Sequence, residues 1–294
     1  LRMEWGVWVG LAVGATSVPL LLAVVRELRL SGTYLGNTMI AFAAMGELVT
    51  IGLLSIVEIN TKAQGDTALI IEGVSLLVGL VASAIFIVVI LRTLLFWFPG
   101  VFRKIVSHDD PSEFGVRVGF GMMFSFIGLS ILAHVEPFLG AFIAGAMLAF
   151  VIRDKGALEH KLSSMAYGFF VPIFFIHVGI RLQITPELFM NRGLDILIVI
   201  AVMIFVKFLP SLLLFFRGLK LNEVIGTTCL LAAPLTLVIA IMELAVHNNA
   251  VTEEMSAVVI TAGILASLVY PSLSRRLLRD AAPPSGAATQ AHPH

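Results

Sequence analysis

The chain carries one cysteine, Cys229, in 294 residues. That excludes a disulfide framework and any cysteine-built metal site. Charge is scarce as well: 13% of residues are charged, where a soluble chain carries about 25%. The 19 Lys and Arg are matched by 19 Asp and Glu, so no basic excess exists to hold nucleic acid. Strand-like alternation is missing, as are an Ala-x-Ala cleavage pattern after the first apolar run, a nucleophile–base set and a glycine-rich nucleotide fingerprint behind the last apolar segment. These absences exclude a barrel, a cleaved signal peptide and an enzyme, and no cofactor is expected. What fills the chain is apolar: 59% of residues, 21 Phe and 11 Met among them, at a mean hydropathy of +1.00. Such a composition requires lipid as the solvent, and the fold class it predicts is an all-α membrane protein.

A membrane-crossing helix needs about 20 apolar residues. Nine candidate spans are expected, at 5–25, 34–58, 69–91, 114–134, 137–152, 165–181, 194–216, 222–246 and 255–274. Lys and Arg are distributed unevenly between their connections. One side receives Arg26, Arg29, Arg92, Arg103, Lys104, Arg117, Arg153, Lys155, Lys161, Arg217, Lys220, Arg275, Arg276 and Arg279; the other receives Arg2, Lys62, Arg181 and Arg192. The richer side is expected to be cytoplasmic, which puts Leu1 outside and the C-terminus inside. Residues 1–279 then form the transmembrane domain. Residues 280–294, rich in Ala and Pro, read as a disordered cytoplasmic tail, in which His292 and His294 lack the partners of a metal site. Residues 91–105, with Phe96, Trp97, Phe98 and Phe102 beside Arg92, Arg103 and Lys104, read as an amphipathic helix at the interface.

Ionisable side chains at mid-span cost about 2.5–3.5 kcal/mol each and are functional candidates by default. Glu47 and Lys207 each lie thirteen residues into their spans, about 20 Å deep at 1.5 Å per residue. A static ion pair would hold two helices together at greater cost than an apolar contact, so a functional role is favoured. The second signal is a pair of interrupted helices. Gly14-Ala15-Thr16-Ser17-Val18-Pro19 lies in the first span and Ala232-Ala233-Pro234-Leu235-Thr236 in the eighth. Proline removes a backbone donor, and small and hydroxylated neighbours suit unwound backbone lining a cavity. Pro172 and Pro210 also lie within spans, so the prolines count only in combination with the charges. Interrupted helices in matching positions of two inverted halves mark the central site of a transporter.

With Arg26-Glu27-Leu28, Leu35-Gly36 and Gly46-Glu47-Leu48 added to the first break, the chain resembles the monovalent cation:proton antiporters. The resemblance is strongest to their bacterial sodium/proton and potassium-efflux branch. Leu139 to Gly145 is similar to that family's small-residue helix, Phe169 to Phe175 with Gly179 to its Pro-Phe-Phe signature, and Lys207 to its mid-membrane basic residue. The resemblance implies an inverted-repeat fold in which the two broken helices cross, the second repeat falling at about 194–279. It also implies that three or four N-terminal helices of the first repeat are missing, that the full-length protein is a homodimer, and that it resides in the bacterial inner membrane. Where the family carries Asp-Asp or Asn-Asp, this chain has Gly46 and Glu47.

On this reading Glu47 holds a proton or Na⁺ or K⁺, never both. Thr16 and Ser17 supply oxygen ligands, Thr236 lines the opposite break beside Pro234, Pro19 shapes the first, and Lys207 is the charge partner. Thr50 shares the face of Glu47. No metal is expected beyond the transported monovalent cation. One carboxylate implies one cation for one proton. Two other functions remain open: a regulated potassium-efflux pathway, and a non-transporting membrane subunit or sensor that keeps the antiporter fold. His177 is read as a neutral histidine on a backbone carbonyl, and Cys229 as a small buried apolar residue.

Overall fold

The computed structural model describes residues 2–98, 100, 112–133, 135, 137–152, 156–181 and 186–279. The described residues are helices and short connections, without a strand. In chain order the helices are α1 (Arg2–Gly14), α2 (Val18–Glu27), α3 (Tyr34–Ala63), α4 (Thr67–Trp97), α5 (Phe114–Leu132), α6 (Pro137–Val151), α7 (Gly156–Met165), α8 (Val171–Arg181), α9 (Pro186–Ser211), α10 (Leu221–Leu231), α11 (Thr236–His247) and α12 (Glu253–Leu278).

Among the described residues, six stretches are long and apolar enough to cross a membrane: Trp5–Glu27, which includes one break, Tyr34–Ala63, Thr67–Leu94, Phe114–Leu132, Glu187–Phe216 and Glu253–Leu278. Helices α10 and α11 form a seventh if their pair, bent by 40°, is taken as one span. Two of the nine expected spans, 137–152 and 165–181, are not among these stretches. α6 has 15 residues, or about 22 Å at 1.5 Å per residue. The expected span 165–181 divides into a π-helical turn, Ala166–Phe170, and the 11-residue α8. Pro172 accounts for the division, because its ring and missing N–H disrupt the ladder toward Gly168 and the backbone widens locally. The expected interfacial helix 91–105 also differs: through Trp97 it is the continuation of α4, since nothing before Pro99 stops a helix, and its later part falls outside the described residues. So does the tail 280–294.

The chain divides into two compact units, residues 1–50 with 183–294 and residues 51–182. In the first, α1 packs on α11 and α9, α2 on α10 and α12, and α12 on α9, α10 and α11. Leu21, Val24 and Val25 of α2 share a buried core with Leu35, Met39 and Ala43 of α3 and with Leu230, Leu231 and Leu278. A second cluster joins Leu188 and Ile196 of α9 to Val258 and Ala262 of α12. Polar side chains stitch these helices by bonding to backbone. Ser274 Oγ donates to the Gly226 carbonyl at 2.8 Å and Tyr270 Oη to the Ile200 carbonyl at 2.8 Å.

In the second unit α5 and α6 make the tightest approach. A Cβ added at Gly140 would stand 2.3 Å from both the Phe126 carbonyl oxygen and Ser130 Oγ, so only glycine lets the two backbones come so close. Val116, Ile152 and Leu158 form a small buried cluster against Phe120 and Leu162. Arg92, on α4, donates to the Phe150 carbonyl at 3.2 Å and lies over the Phe150 ring at 4.2 Å.

Candidate ion-binding site

The first span opens where its sequence turns small and hydroxylated. α1 ends at Gly14, and Ser17 takes the extended N-cap position of α2 with φ −118° and ψ 101°. Pro19 falls in the first turn of α2, where a missing N–H breaks no helical hydrogen bond. The proline therefore starts a helix here instead of kinking one. Three residues, 15–17, are left without helical ladder, and Thr16 and Ser17 are both buried. The carbonyl end of α1 and the N–H end of α2 face this gap, the first partly negative and the second partly positive.

The carbonyl end is met by Lys207. Its ammonium donates to the Gly14 carbonyl oxygen and, at 2.8 Å, to Thr16 Oγ1. The lysine is 9% exposed, so both of its protein partners come from the gap between α1 and α2. Among the described residues no ion pair joins Glu47 to Lys207. Glu47 stands half-buried on α3, next to Gly46, whose added Cβ would contact Thr16 Oγ1 at 3.4 Å. Thr50, one turn further along, donates its hydroxyl to the Gly46 carbonyl at 2.8 Å. Thr16 is thus the hinge of the site: it bonds the lysine and touches the α3 turn that carries the carboxylate.

The second break runs from Ala232 to Leu235, between α10 and α11, with Thr236 as the first residue of α11. Pro234 is buried and its carbonyl, freed from the ladder, accepts from Ser267 Oγ at 3.2 Å. Gly263, one turn before Ser267 on α12, allows this approach. A Cβ there would meet Val238 Cγ1 at 2.8 Å and the Pro234 oxygen at 3.3 Å. The half-helices pair across the two breaks, α1 with α11 and α2 with α10. Neither Gly14 O as a partner of Lys207 nor Gly263 and Ser267 as the support of the second break was visible in the sequence. Backbone acceptors carry no residue signature, and a serine six residues into the apolar stretch after Thr261 reads as helix packing.

Of the lesser candidates, Cys229 is fully buried and His177 is exposed on α8. Among the described residues no group of three or more His, Cys, Asp or Glu could hold a metal ion.

Several apolar helices of crossing length, one span interrupted beside a buried lysine and a second interrupted at a buried proline, define a multi-pass integral membrane protein. The chain belongs to the family described as sodium/hydrogen exchanger, transmembrane, whose pattern matches residues 3–279. This is a family of cation/proton exchangers and not of enzymes, and the resemblance carried by residues 14–48 holds at that level. The protein named "Putative Na(+)/H(+) antiporter YjbQ", of Bacillus subtilis strain 168, is 24% identical over 275 residues, covering 92% of this chain and 42% of YjbQ. Two Bacillus cereus proteins are similar: the "Probable Na(+)/H(+) antiporter GerT", 26% identical over 72% of this chain and 53% of its own length, and the "Na(+)/H(+)-K(+) antiporter GerN", 28% identical over 62% of this chain and 45% of its own. The chain thus spans about half the length of these relatives.

Proposed function

We propose that this chain carries the ion-exchanging site of a secondary antiporter that trades Na⁺ or K⁺ for protons by alternating access, with Glu47 as the exchanging carboxylate. One observation carries the reading: a buried ammonium, Lys207, bonds the open carbonyl end of α1 and Thr16, directly beside the turn of α3 that bears Glu47. A charge held there offsets the partly negative end of the half-helix. It leaves the carboxylate of Glu47 free of a fixed partner, as a group that alternates between a proton and a cation must be. Thr16, Ser17 and Thr236 supply oxygens to a cation at the breaks, Pro19 and Pro234 hold the breaks open, and the broken spans cross there. Nine spans, an inverted repeat, a cytoplasmic C-terminus in a bacterial inner membrane and a homodimeric full-length protein complete the proposal.

The stoichiometry follows from the carboxylate count. Gly46 leaves Glu47 as the acid of this turn, and Lys207 keeps its charge in both states. One carboxylate passing as its proton-bound or its cation-bound form carries the same charge in each direction, so exchange is electroneutral. In proteoliposomes of the full-length protein, Na⁺ uptake should move protons outward at a rate that an imposed potassium-diffusion potential leaves unchanged. Glu47→Gln should abolish it. Acceleration by the potential would overturn the one-for-one scheme and implicate Lys207 as a second proton carrier. Cation flux without proton movement would indicate an efflux pathway instead, and absence of any flux a non-transporting subunit.

A further inference from the structure

Helix α12 leaves the core of the first unit in its last three turns. From Ser256 to Ser267 none of its residues is exposed. Beyond them the exposed residues run from apolar to cationic: Leu268, Val269 and Leu273 first, Arg275, Arg276 and Arg279 last. At 100° per residue these six share a sector of about 160°, while Tyr270, Pro271, Ser274 and Leu278 are buried on the opposite side. The end of α2 meets this end of α12. Arg275 bonds Glu27 at 3.0 Å, and Leu30 and Leu278 share one buried cluster, so Arg29 stands at the same corner. Arg29 holds the left-handed conformation that closes α2, with φ 56°, where a Cβ is strained and glycine is usual. The position accepts that strain and places an exposed guanidinium there. Nearby carboxylates are already used, Glu27 by Arg275 and Glu223 by the N–H of Lys220 at 2.8 Å. Among the described residues the side chains of Arg29, Arg276 and Arg279 have no ion pair, and a guanidinium keeps its charge at any physiological pH.

We propose that this corner binds an anionic phospholipid, with the headgroup phosphodiester on Arg276 and Arg279, assisted by Arg29, and an acyl chain along Leu273 and Val269. Arg276 lies three and seven residues after Leu273 and Val269, so the three form one stripe within about 60°. A soluble phosphate would match the arginines and leave the apolar stripe unused. An apolar neighbour would match the stripe and leave the charges unpaired. A lipid with a charged head matches both, and the arginine fork can give one phosphate two hydrogen bonds. The site requires a membrane surface at the end of α12 and nothing of the exchange chemistry at Glu47.

Two measurements on the full-length protein test this. In native mass spectrometry of the delipidated protein, added dioleoylphosphatidylglycerol should be retained, and its binding should fall about tenfold in Arg276→Gln/Arg279→Gln. Dioleoylphosphatidylcholine, with the same chains and no net charge, should bind both proteins weakly and equally. Arg192→Gln, at the opposite end of α12 beside Glu254, should match the unaltered protein. In thermal melts, phosphatidylglycerol should raise the melting temperature of the unaltered protein, and high salt should diminish the rise. Glycerol phosphate, the head without its chains, should not produce it. Equal binding of the two lipids, or phosphatidylglycerol binding undiminished in the double variant, would overturn the site. A rise reproduced by glycerol phosphate would also overturn it, in favour of a free-anion site. The melts need no substitution, so they decide the matter even if the double variant does not survive purification. Phosphatidylglycerol no more stabilising than phosphatidylcholine would mean that no anionic lipid is held there.

Discussion

The two units of the chain are both built from apolar helices, but the helices are held together differently. In the first unit the most apolar stretch of α12 is 56% buried, and the helices are broken, bonded through backbone carbonyls and threaded with Thr, Ser and Lys at 0–9% exposure. In the second, the corresponding stretch of α4 is 11% buried; a small apolar cluster and one tight glycine crossing hold its helices, and among the described residues its buried polar side chains, Ser55, Glu58 and Ser130, are fewer. Hydropathy does not distinguish them; α4 scores highest of all spans. The difference teaches that apolar character in such a chain reports the solvent, whereas function follows the places where the backbone gives up its ladder and side chains must replace it.

The contrast can be broken most severely at Lys207. Lys207→Met strips the Gly14 carbonyl and Thr16 of their buried donor. It should cost about 3 kcal/mol, since charged hydrogen bonds are each worth about 1.5–3 kcal/mol, and should abolish exchange. A thermal melt of the detergent-purified protein beside a transport assay would check both. Lys62→Met in the second unit is the counterpart: it takes from the buried Glu58 the half-exposed ammonium at its side, so it should lower the melting temperature as well, yet leave exchange intact.

A smaller effect separates packing from function. Gly140→Ala forces α5 and α6 apart and should destabilise the protein by about 1–3 kcal/mol without altering the KM for the cation. Gly46→Ala places its Cβ in ordinary contact with Thr16 Oγ1. It should therefore barely move the melting temperature, yet lower cation affinity by filling the space beside the Thr16 oxygen. The reverse pattern would show that tight packing, not position, governs the site.

The smallest effect is expected at Arg192, which bonds Asp195 at 3.0 Å and Glu254 at 2.8 Å on the exposed end of α9 and α12. Solvent-exposed pairs are screened and contribute little. Arg192→Ala should leave the melting temperature within error, and a clear drop would mean that this end of the unit is shielded from water.

Much of the fold could be read from residues alone. Six of the nine apolar runs coincide with crossing helices, because a stretch such as 69–91 has no other stable solvent or conformation. The breaks at Thr16 and Pro234 were legible for the same local reason: proline and small hydroxylated residues act on the backbone within one turn. The shortness of α6 and the division at Pro172 were less so, since an apolar run does not report its own helix length once a proline lies near its end. The candidate site was legible as a list but not as an arrangement. Glu47 and Lys207 stood out by depth and opposite charge, which suggested that they meet each other.

What the sequence determined by itself is everything that depends on neighbours along the chain: the solvent, the helices, the two breaks and the cost of a charge at mid-span. What tertiary structure decided is which partner relieves that cost. Lys207 reaches Thr16 across 191 residues of chain and spends its second bond on a carbonyl that any residue at position 14 would offer. A partner of that kind exists only after α1 and α9 have packed, because backbone acceptors become available where a helix ends, and become neighbours only where two helices meet.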